Sequence, residues 1–267
     1  MFYKAEGSRI KIGNTDMDYV VSGCGKQPLV VIPGLSDGLK TVKGQALTLA
    51  AYYKKFSKDF RIYTFSRKNS LEKGYSTRDM ARDQKTAMEI LGIKKACVMG
   101  ISQGGMISQY LAIDYPEIVE KLVIAVSVSR PNPTLDEVVN SWINMAETKD
   151  YKKLIIDTMY KTYTKKHYNK YKPLLPIFSR IGKPESFERF IIQAKACLSH
   201  NAYNELNMIK SPVLVIGGDS DRVVGKNTSE EMAERIEQSK LVLYKELGHG
   251  SYEEAKDFYP KVKDFLL

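Results

Sequence analysis

Short apolar segments alternate with amphipathic segments along most of this chain. Six segments rich in valine, isoleucine and leucine predict buried strands: residues 28–34, 61–66, 95–100, 121–128, 212–218 and 240–247. Between them, apolar residues recur at helical spacing, as in residues 77–92, where a final glycine suits a helix C-terminus. This alternation predicts an α/β protein with a mostly parallel central sheet and helices on both faces.

The two ends of the chain and one long internal segment do not follow this alternation of strand-like and helix-like segments. Residues 8–23 alternate apolar and polar positions around an Asn-Thr-Asp turn, which predicts an antiparallel hairpin at the sheet edge. The C-terminal residues 253–267 have helical spacing, but Pro260 interrupts it. The segment 131–209 is helix-like, aromatic and without a clear strand, and it is too long for a structureless loop. We therefore predict a core of residues 1–130 and 210–267 and a helical cap (lid) insertion of residues 131–209.

Composition narrows the class of protein. The 267 residues carry a net charge of +10, but lysines are spread along the chain and no nucleic-acid-binding motif is present. No apolar stretch is long enough to cross a membrane, and the first 16 residues lack the apolar core of a secretory signal. Three widely separated cysteines favour neither a disulfide framework nor a zinc site. We expect a cytoplasmic protein with no nucleic-acid or membrane partner; the oligomeric state stays open.

A serine lies between two glycines directly after one predicted strand, in the pattern Gly100-x-Ser102-x-Gly104. A sharp turn from strand to helix crowds the residues two before and two after its centre, and glycines relieve that clash. Glycine-flanked serines also occur in ordinary turns. A serine hydroxyl becomes a nucleophile only with a base, an acid that orients the base, and donors for the developing oxyanion.

Histidine is the expected base, and the chain contains three. His167 lies in a charged, tyrosine-rich stretch typical of the surface, and His200 suits a helix cap or a pocket wall. His249 follows the last predicted strand on a glycine-flanked loop, at the carboxyl end of the sheet where open α/β folds bind ligands. For the acid, Asp219 and Asp221 both follow the preceding strand. Asp219 suits a turn residue and Asp221 lies further into the loop, so we favour Asp221 and leave Asp219 open.

The order Ser102, Asp221, His249 is that of the α/β-hydrolase fold. The motifs GISQGG, GGDSDRVV and LGHG around these residues resemble the α/β-hydrolase superfamily with an inserted cap, and the resemblance covers essentially the whole chain. It implies an oxyanion hole formed by the backbone N–H groups of Gln103 and Leu35. Many family members have His-Gly before the second donor, whereas this chain has Pro33 and a glycine, which removes a side chain that often braces the loop.

The resemblance implies a serine hydrolase that cleaves a small to medium carboxylic ester through an acyl-enzyme, with a small-molecule acyl substrate and neither metal nor organic cofactor. Enol-lactone, thioester, carbon–carbon bond and aminopeptidase-type hydrolysis on the same residues remain alternatives, as does a slow-turnover ligand-binding or signalling protein. Epoxide hydrolases and dehalogenases of the superfamily use aspartate where this chain has Ser102. The aromatic residues of the cap either line an acyl pocket or pack the cap helices together.

Overall fold

The computed structural model describes residues 4–180 and 182–267, whose strands form one twisted sheet of eight. The strands are β1 (Glu6–Ile12), β2 (Thr15–Ser22), β3 (Gln27–Ile32), β4 (Phe60–Lys68), β5 (Ala96–Ile101), β6 (Val119–Ala125), β7 (Val213–Gly218) and β8 (Ser239–Tyr244). Their order across the sheet is β1-β2-β4-β3-β5-β6-β7-β8. β1 and β2 form the expected antiparallel hairpin at one edge, and β2 also pairs antiparallel with β4. The pairs along β4-β3-β5-β6-β7-β8 are all parallel.

Helices cover both faces of this sheet, so the predicted fold class, an α/β protein with a mostly parallel sheet, is confirmed. The helices are α1 (Ala46–Tyr52), α2 (Thr77–Ile90), α3 (Gln103–Asp114), α4 (Pro133–Glu147), α5 (Tyr151–Thr162), α6 (Lys165–Tyr171), α7 (Leu175–Phe178), α8 (Glu188–Leu198), α9 (Thr228–Arg235), α10 (Ser251–Glu254) and α11 (Phe258–Leu266). Helix α2 begins with a capping box: the Ser76 hydroxyl accepts from the Asp79 N–H, and the Asp79 carboxylate accepts from the Ser76 N–H.

The alternation of side chains along each strand divides the apolar core between the two faces. In β3, Val30 and Ile32 pack with helices α2 and α3, whereas Leu29 and Val31 pack on the opposite face with α11. All four side chains are fully buried. A strand buried on both faces needs apolar residues at every position, which is why the sequence shows continuous apolar runs rather than alternation.

Two local predictions are wrong in detail. Residues 240–247 do not form a buried strand: β8 covers only part of this segment, and Leu241 is 42% exposed. The reason is position, since β8 is the last strand and pairs only with β7. Pro260 does not interrupt the final helix either, because it is the third residue of α11, where a backbone N–H has no partner within the helix.

The chain between β6 and β7 forms helices α4 to α8 in its described part, 126–180 and 182–212, without a strand. Apolar side chains of α4 and α8, among them Trp142 and Phe190, pack with Leu35, Met106 and Val223 from the loops and helix at the carboxyl end of the sheet. These helices therefore lie over that edge. Among all described residues, no helix has the length and apolar character that a membrane span requires.

Candidate active site

Four loops meet at the carboxyl edge of the parallel strands. They follow β3, β5, β7 and β8 and carry Leu35, Ser102, Asp221 and His249 respectively. Because parallel strands end at one edge, residues that are up to 147 positions apart in the chain come within hydrogen-bonding distance. The structure thus brings together the four loops that the sequence marks as chemically important.

Ser102 occupies the turn between β5 and α3 with a left-handed backbone, at φ 56° and ψ −119°. A Cβ atom added to Gly100 would lie 2.3 Å from the carbonyl oxygen of Gly104, and one added to Gly104 would lie 1.9 Å from that of Ile32. Both positions therefore exclude any side chain, which is the crowding expected at such a turn. The turn leaves Ser102 partly exposed.

His249 connects the serine to an aspartate. Its Nε2 lies 2.9 Å from Ser102 Oγ, and its Nδ1 lies 2.8 Å from Asp221 Oδ2. A carboxylate only accepts hydrogen bonds, so in the neutral imidazole Nδ1 carries the proton and Nε2 carries the lone pair that faces the serine. The imidazole and the carboxylate are both buried. This arrangement can take a proton from the Ser102 hydroxyl.

The two candidate aspartates have different partners. Asp221 Oδ1 accepts hydrogen bonds from the N–H groups of Val223 and Val224, at 2.8 and 3.0 Å, which leaves Oδ2 for His249. Asp219 Oδ1 instead accepts from the Ser220 hydroxyl and the Glu246 N–H, each at 2.8 Å. Asp219 therefore connects the loop after β7 to the loop after β8, and of the two aspartates Asp221 is the one that contacts the imidazole.

The two expected oxyanion donors each lie at the start of a helical turn. Gln103 is the first residue of α3, and Leu35 is the first residue of a 3₁₀ turn, Leu35–Gly38. N–H groups in a first turn have no partner within their own helix, which is the property that an anion-binding donor needs. A Cβ atom added to Gly34 would lie only 3.3 Å from Ser102 Cβ, which places this loop directly against the serine.

A cavity of about 290 Å³ opens beside these groups. Gly34 and Ile101, which flank Ser102 in space and in sequence, form part of its lining, together with Tyr53 and Tyr252. Tyr252 follows the His249 loop at the start of α10. Ser102, Asp221 and His249 do not line the cavity themselves, so it adjoins the site through Gly34 and Ile101, and it has room for a small organic group.

The chain matches the family model of the alpha/beta hydrolase fold over residues 27–256, a range that includes Ser102, Asp221 and His249. The chain belongs to the α/β-hydrolase family. The matched range runs from β3 to α10, so it contains both the central parallel strands and the helices between β6 and β7.

Individual relatives of this α/β hydrolase agree with the family. A 2-hydroxy-6-oxononadienedioate/2-hydroxy-6-oxononatrienedioate hydrolase of a Pseudomonas species is 27% identical over 222 residues, 79% of this chain and 74% of the relative. An α/β hydrolase enzyme from a Medee basin deep-sea metagenome library superimposes with a TM-score of 0.85 at 24% identity, over 97% of this chain and 96% of that chain. The enol-lactonase from Burkholderia xenovorans LB400 superimposes with a TM-score of 0.83 at 22% identity, over 97% and 99%. The family match and the similarity to the Pseudomonas hydrolase indicate that this chain is a hydrolase. The two superimposed structures support the fold alone.

The other two histidines of this α/β hydrolase lie away from Ser102. His200 is fully buried, with Nδ1 2.9 Å from Thr77 Oγ1 and Nε2 3.3 Å from Gln109 Oε1. An amide oxygen only accepts, so Nε2 donates to Gln109 and Nδ1 accepts from the threonine hydroxyl. His167 stacks on Tyr163, with ring centroids 5.0 Å apart, and is less exposed than its charged sequence context predicts.

His200 makes the fold sensitive to acid. Burial lowers the pKa of its imidazole to about 3, so it stays neutral in the folded protein at pH values where the unfolded chain protonates. Above the pKa of about 6.5 in the unfolded chain, His200 is neutral in both states and the full stability of the fold is present. As the pH falls from there toward the pKa in the folded protein, the unfolded chain binds a proton that the folded protein does not, so stability is lost. Between pH 7 and pH 5 we expect a loss of about 2 kcal/mol in the free energy of unfolding. Denaturant titrations at both pH values measure it, and His200→Gln should remove most of this difference; an equal difference in the variant would contradict this origin.

Sequence reasoning missed a buried arginine that braces the loop after β3. Arg67 has no exposed surface, and its Nη2 donates to the Pro33 carbonyl oxygen at 2.5 Å and to Gln103 Oε1 at 2.8 Å. One guanidinium nitrogen thus joins the two segments that hold the expected oxyanion donors. It takes the place of the bracing side chain that the Pro33-Gly34 sequence lacks. The only signal in the sequence is a basic residue directly after an apolar run.

Arg67 is paired with Asp37 on the same loop. Asp37 Oδ2 accepts from the Arg67 N–H at 3.1 Å and lies 3.9 Å from Arg67 Nη1 and 2.5 Å from Arg189 Nη2. Burial is the largest influence on Asp37 and opposes its ionisation, but the charges of Arg189 and Arg67 and its hydrogen bonds together hold the pKa below its usual value. Burial lowers the pKa of Arg67 to about 10, so the guanidinium remains charged at neutral pH.

Proposed function

We propose that this α/β hydrolase cleaves carboxylic esters through a covalent intermediate on Ser102. The observation that carries the proposal is the continuous hydrogen-bond chain from Ser102 Oγ through the His249 imidazole to Asp221, with distances of 2.9 and 2.8 Å. A serine that is partly exposed on a strained turn, with a buried imidazole aimed at its oxygen, is arranged to react rather than to pack.

In the proposed first step, Ser102 Oγ attacks the carbonyl carbon of the ester while its proton passes to His249 Nε2. The imidazolium that forms is stabilised by Asp221, which keeps Nδ1–H directed at its carboxylate. The imidazolium then donates its proton to the departing alcohol oxygen, which leaves an acyl group on Ser102. A water molecule then attacks the acyl carbon while its proton passes to His249 Nε2. The imidazolium returns this proton to Ser102 Oγ as the bond between Oγ and the acyl carbon breaks, which releases the carboxylic acid and restores the serine and the neutral imidazole.

The proposed oxyanion hole consists of the Leu35 and Gln103 N–H groups, each in the first turn of a helix. Fixed donors of this kind stabilise the charge that develops on the carbonyl oxygen during both attacks. Support comes from the close contact between the Leu35 loop and Ser102, shown by the 3.3 Å between Ser102 Cβ and a Cβ atom added to Gly34. Protein groups and water perform each proposed step, so the reaction needs neither a metal ion nor an organic cofactor.

The surroundings of Ser102 favour a small or medium acyl ester. The proposed cap, residues 131–209, contributes Trp142, Phe190 and other apolar side chains to the cluster that contains Leu35. The adjoining cavity of about 290 Å³ is near the lower end of the size range for ligand pockets. An acyl group of limited length would fit a cavity of this size. A small-molecule substrate is accordingly the partner we propose.

A lactone is a cyclic ester, so lactone hydrolysis is a second candidate that requires no change in the proposed steps; the enol-lactonase of similar fold favours it. The name of the Pseudomonas relative denotes a hydrolase of a dicarboxylic acid. A cationic side chain near the site would favour a substrate of that kind. Arg67 and Arg189 are already paired with Asp37, but Lys40 lines the cavity beside the site and is a candidate partner for a substrate carboxylate.

A nitrophenyl ester series from acetate to palmitate, combined with a fluorophosphonate that labels reactive serines, tests the proposal. We expect one equivalent of covalent label, and a kcat/KM that peaks at a short or medium acyl chain and falls by at least about tenfold at palmitate. Absence of both labelling and turnover would contradict the proposal. Stabilisation by a ligand without turnover would instead favour a binding protein of the same fold.

A further inference from the structure

The oxyanion loop, residues 33–38, lies directly against helix α8 of the segment between β6 and β7. A Cβ atom added to Gly38 would lie 2.7 Å from the Cα atom of Phe190, so the backbones of loop and helix are in contact. Beside this contact, Arg189 donates to the Asp37 carbonyl oxygen and to Asp37 Oδ2. The same guanidinium donates to the carbonyl oxygens of Arg67 at 3.0 Å and Lys68 at 2.9 Å. One side chain of α8 thus joins the oxyanion loop to the end of β4.

Helix α8 also contacts the residue that follows the serine. The Gln103 side chain is fully buried, and its Nε2 donates to the Gln193 carbonyl oxygen at 2.7 Å and to Cys197 Sγ at 3.1 Å. Its Oε1 accepts from Arg67, which also holds the Pro33 carbonyl oxygen. Helix α8 is therefore bonded to both segments that supply the proposed oxyanion donors.

Stability alone does not account for this network. Removing ions from water costs about as much as their mutual attraction returns, so a buried ion pair contributes little to the net free energy of folding. Within the described residues, Arg67 Nε and Nη1 and Asp37 Oδ1 have no hydrogen-bond partner, which adds to that cost. A network of this kind does fix the relative positions of the groups that it connects, since each bond needs a defined geometry.

We propose that Arg189 is a positioning residue: from α8, through Asp37 and Arg67, it sets the oxyanion loop so that the Leu35 and Gln103 N–H groups converge on one oxygen. The inference rests on the proposed function of those two N–H groups. It makes α8 part of the apparatus that stabilises the transition state, in addition to covering the site. Arg189 itself does not touch the substrate.

Arg189→Met and Arg189→Lys test this role. Methionine keeps the apolar stem and removes every hydrogen bond, whereas lysine can pair with Asp37 but cannot also reach the three carbonyl oxygens. Displacement of a catalytic group by about 1 Å costs on the order of 100-fold in rate. For a preferred nitrophenyl ester we expect kcat to fall about 100-fold in Arg189→Met and about 10-fold in Arg189→Lys, with KM within about twofold of wild type.

The affinity for a trifluoromethyl ketone of matching chain length is a second measurement, one that a general loss of stability would not change. It binds serine hydrolases as a tetrahedral oxyanion, so its affinity should fall in parallel with kcat, while the affinity for the unreactive alcohol analogue stays constant. Arg78→Ala is the matched control, because Arg78 is also an ion-paired arginine but its partners, Asp114 and Glu205, lie outside the oxyanion loop and α8. That variant should lose thermal stability and keep wild-type kcat.

The results separate this proposal from the one on which it rests. A wild-type protein that neither hydrolyses esters nor reacts with fluorophosphonate would overturn both. An active wild type together with an Arg189→Met variant of unchanged kcat, measured at least 10 °C below its own Tm, would overturn the positioning role alone. The expected loss of kcat in both Arg189 variants, with ketone affinity falling in parallel, would support it.

Discussion

Ser102→Ala is expected to lower kcat for nitrophenyl esters by about four to six orders of magnitude, with the fold unchanged. The variant retains the imidazole, the carboxylate and the oxyanion donors, but it has no atom that can form the acyl intermediate. The residual rate would come from water attack on a substrate held in the oxyanion hole. Steady-state kinetics and the stoichiometry of fluorophosphonate labelling measure the effect, and we expect one equivalent of label for wild type and none for the variant.

Ser108→Ala is the matched control for this prediction. Ser108 is a buried serine of the same helix, α3, and its hydroxyl donates only to the Gly105 carbonyl oxygen at 2.9 Å. Its loss costs about 1 kcal/mol of stability and leaves the reacting groups in place. We expect Ser108→Ala to label fully and to keep kcat within about threefold of wild type. Wild-type turnover in Ser102→Ala would require a different nucleophile.

The proximity of Ser102, Asp221 and His249 can be predicted from the sequence because a parallel sheet is recognised from local strand and helix patterns alone. Strand and helix patterns are local, and a parallel sheet places every strand's carboxyl end at the same edge. A reactive residue just after a buried strand therefore has a known position, whatever its distance in sequence. Topology does not decide between Asp219 and Asp221, since both lie on one loop and only side-chain direction separates them.

The network of Asp37, Arg67 and Arg189 could not be predicted in this way. Its members lie on a loop, a strand and a helix, and no spacing rule connects them. The predicted strand also ended at Ser66, whereas β4 continues through Lys68, so Arg67 is an interior strand residue. A charged residue next to an apolar run is normally taken as the end of burial. Its burial becomes understandable only when Asp37 and the Pro33 carbonyl oxygen are present to satisfy it.

The wrong prediction that residues 240–247 form a buried strand has a similar cause, because burial depends on contacts that the local sequence does not specify. The composition of β8 is that of an interior strand, but burial on both faces depends on what covers the sheet at that position. β8 ends the sheet, and within the described residues no further strand pairs with its outer edge. Strand propensity indicates that a segment fits a pleated sheet, but it does not indicate where the strand lies in the order of strands across that sheet. Positions within a sheet are thus harder to predict than the strands themselves.

Asp221→Asn is expected to lower kcat about 10⁴-fold. The asparagine oxygen can still accept the Val223 and Val224 N–H bonds, so the amide NH₂ would face His249 Nδ1. An NH₂ group donates, which favours the imidazole tautomer with the proton on Nε2. That tautomer cannot take a proton from Ser102. The loss should appear in kcat at neutral pH, with little change in Tm.

Asp219→Asn is the counterpart that decides between the two aspartates. The oxygen of an asparagine at position 219 can keep the hydrogen bonds from Ser220 and Glu246, so we expect kcat within about threefold of wild type. The opposite result, a large loss in Asp219→Asn and near-normal kcat in Asp221→Asn, would transfer the orienting role to Asp219. It would also mean that the β7 loop rearranges during turnover, since Asp219 is hydrogen-bonded to the β8 loop rather than to His249.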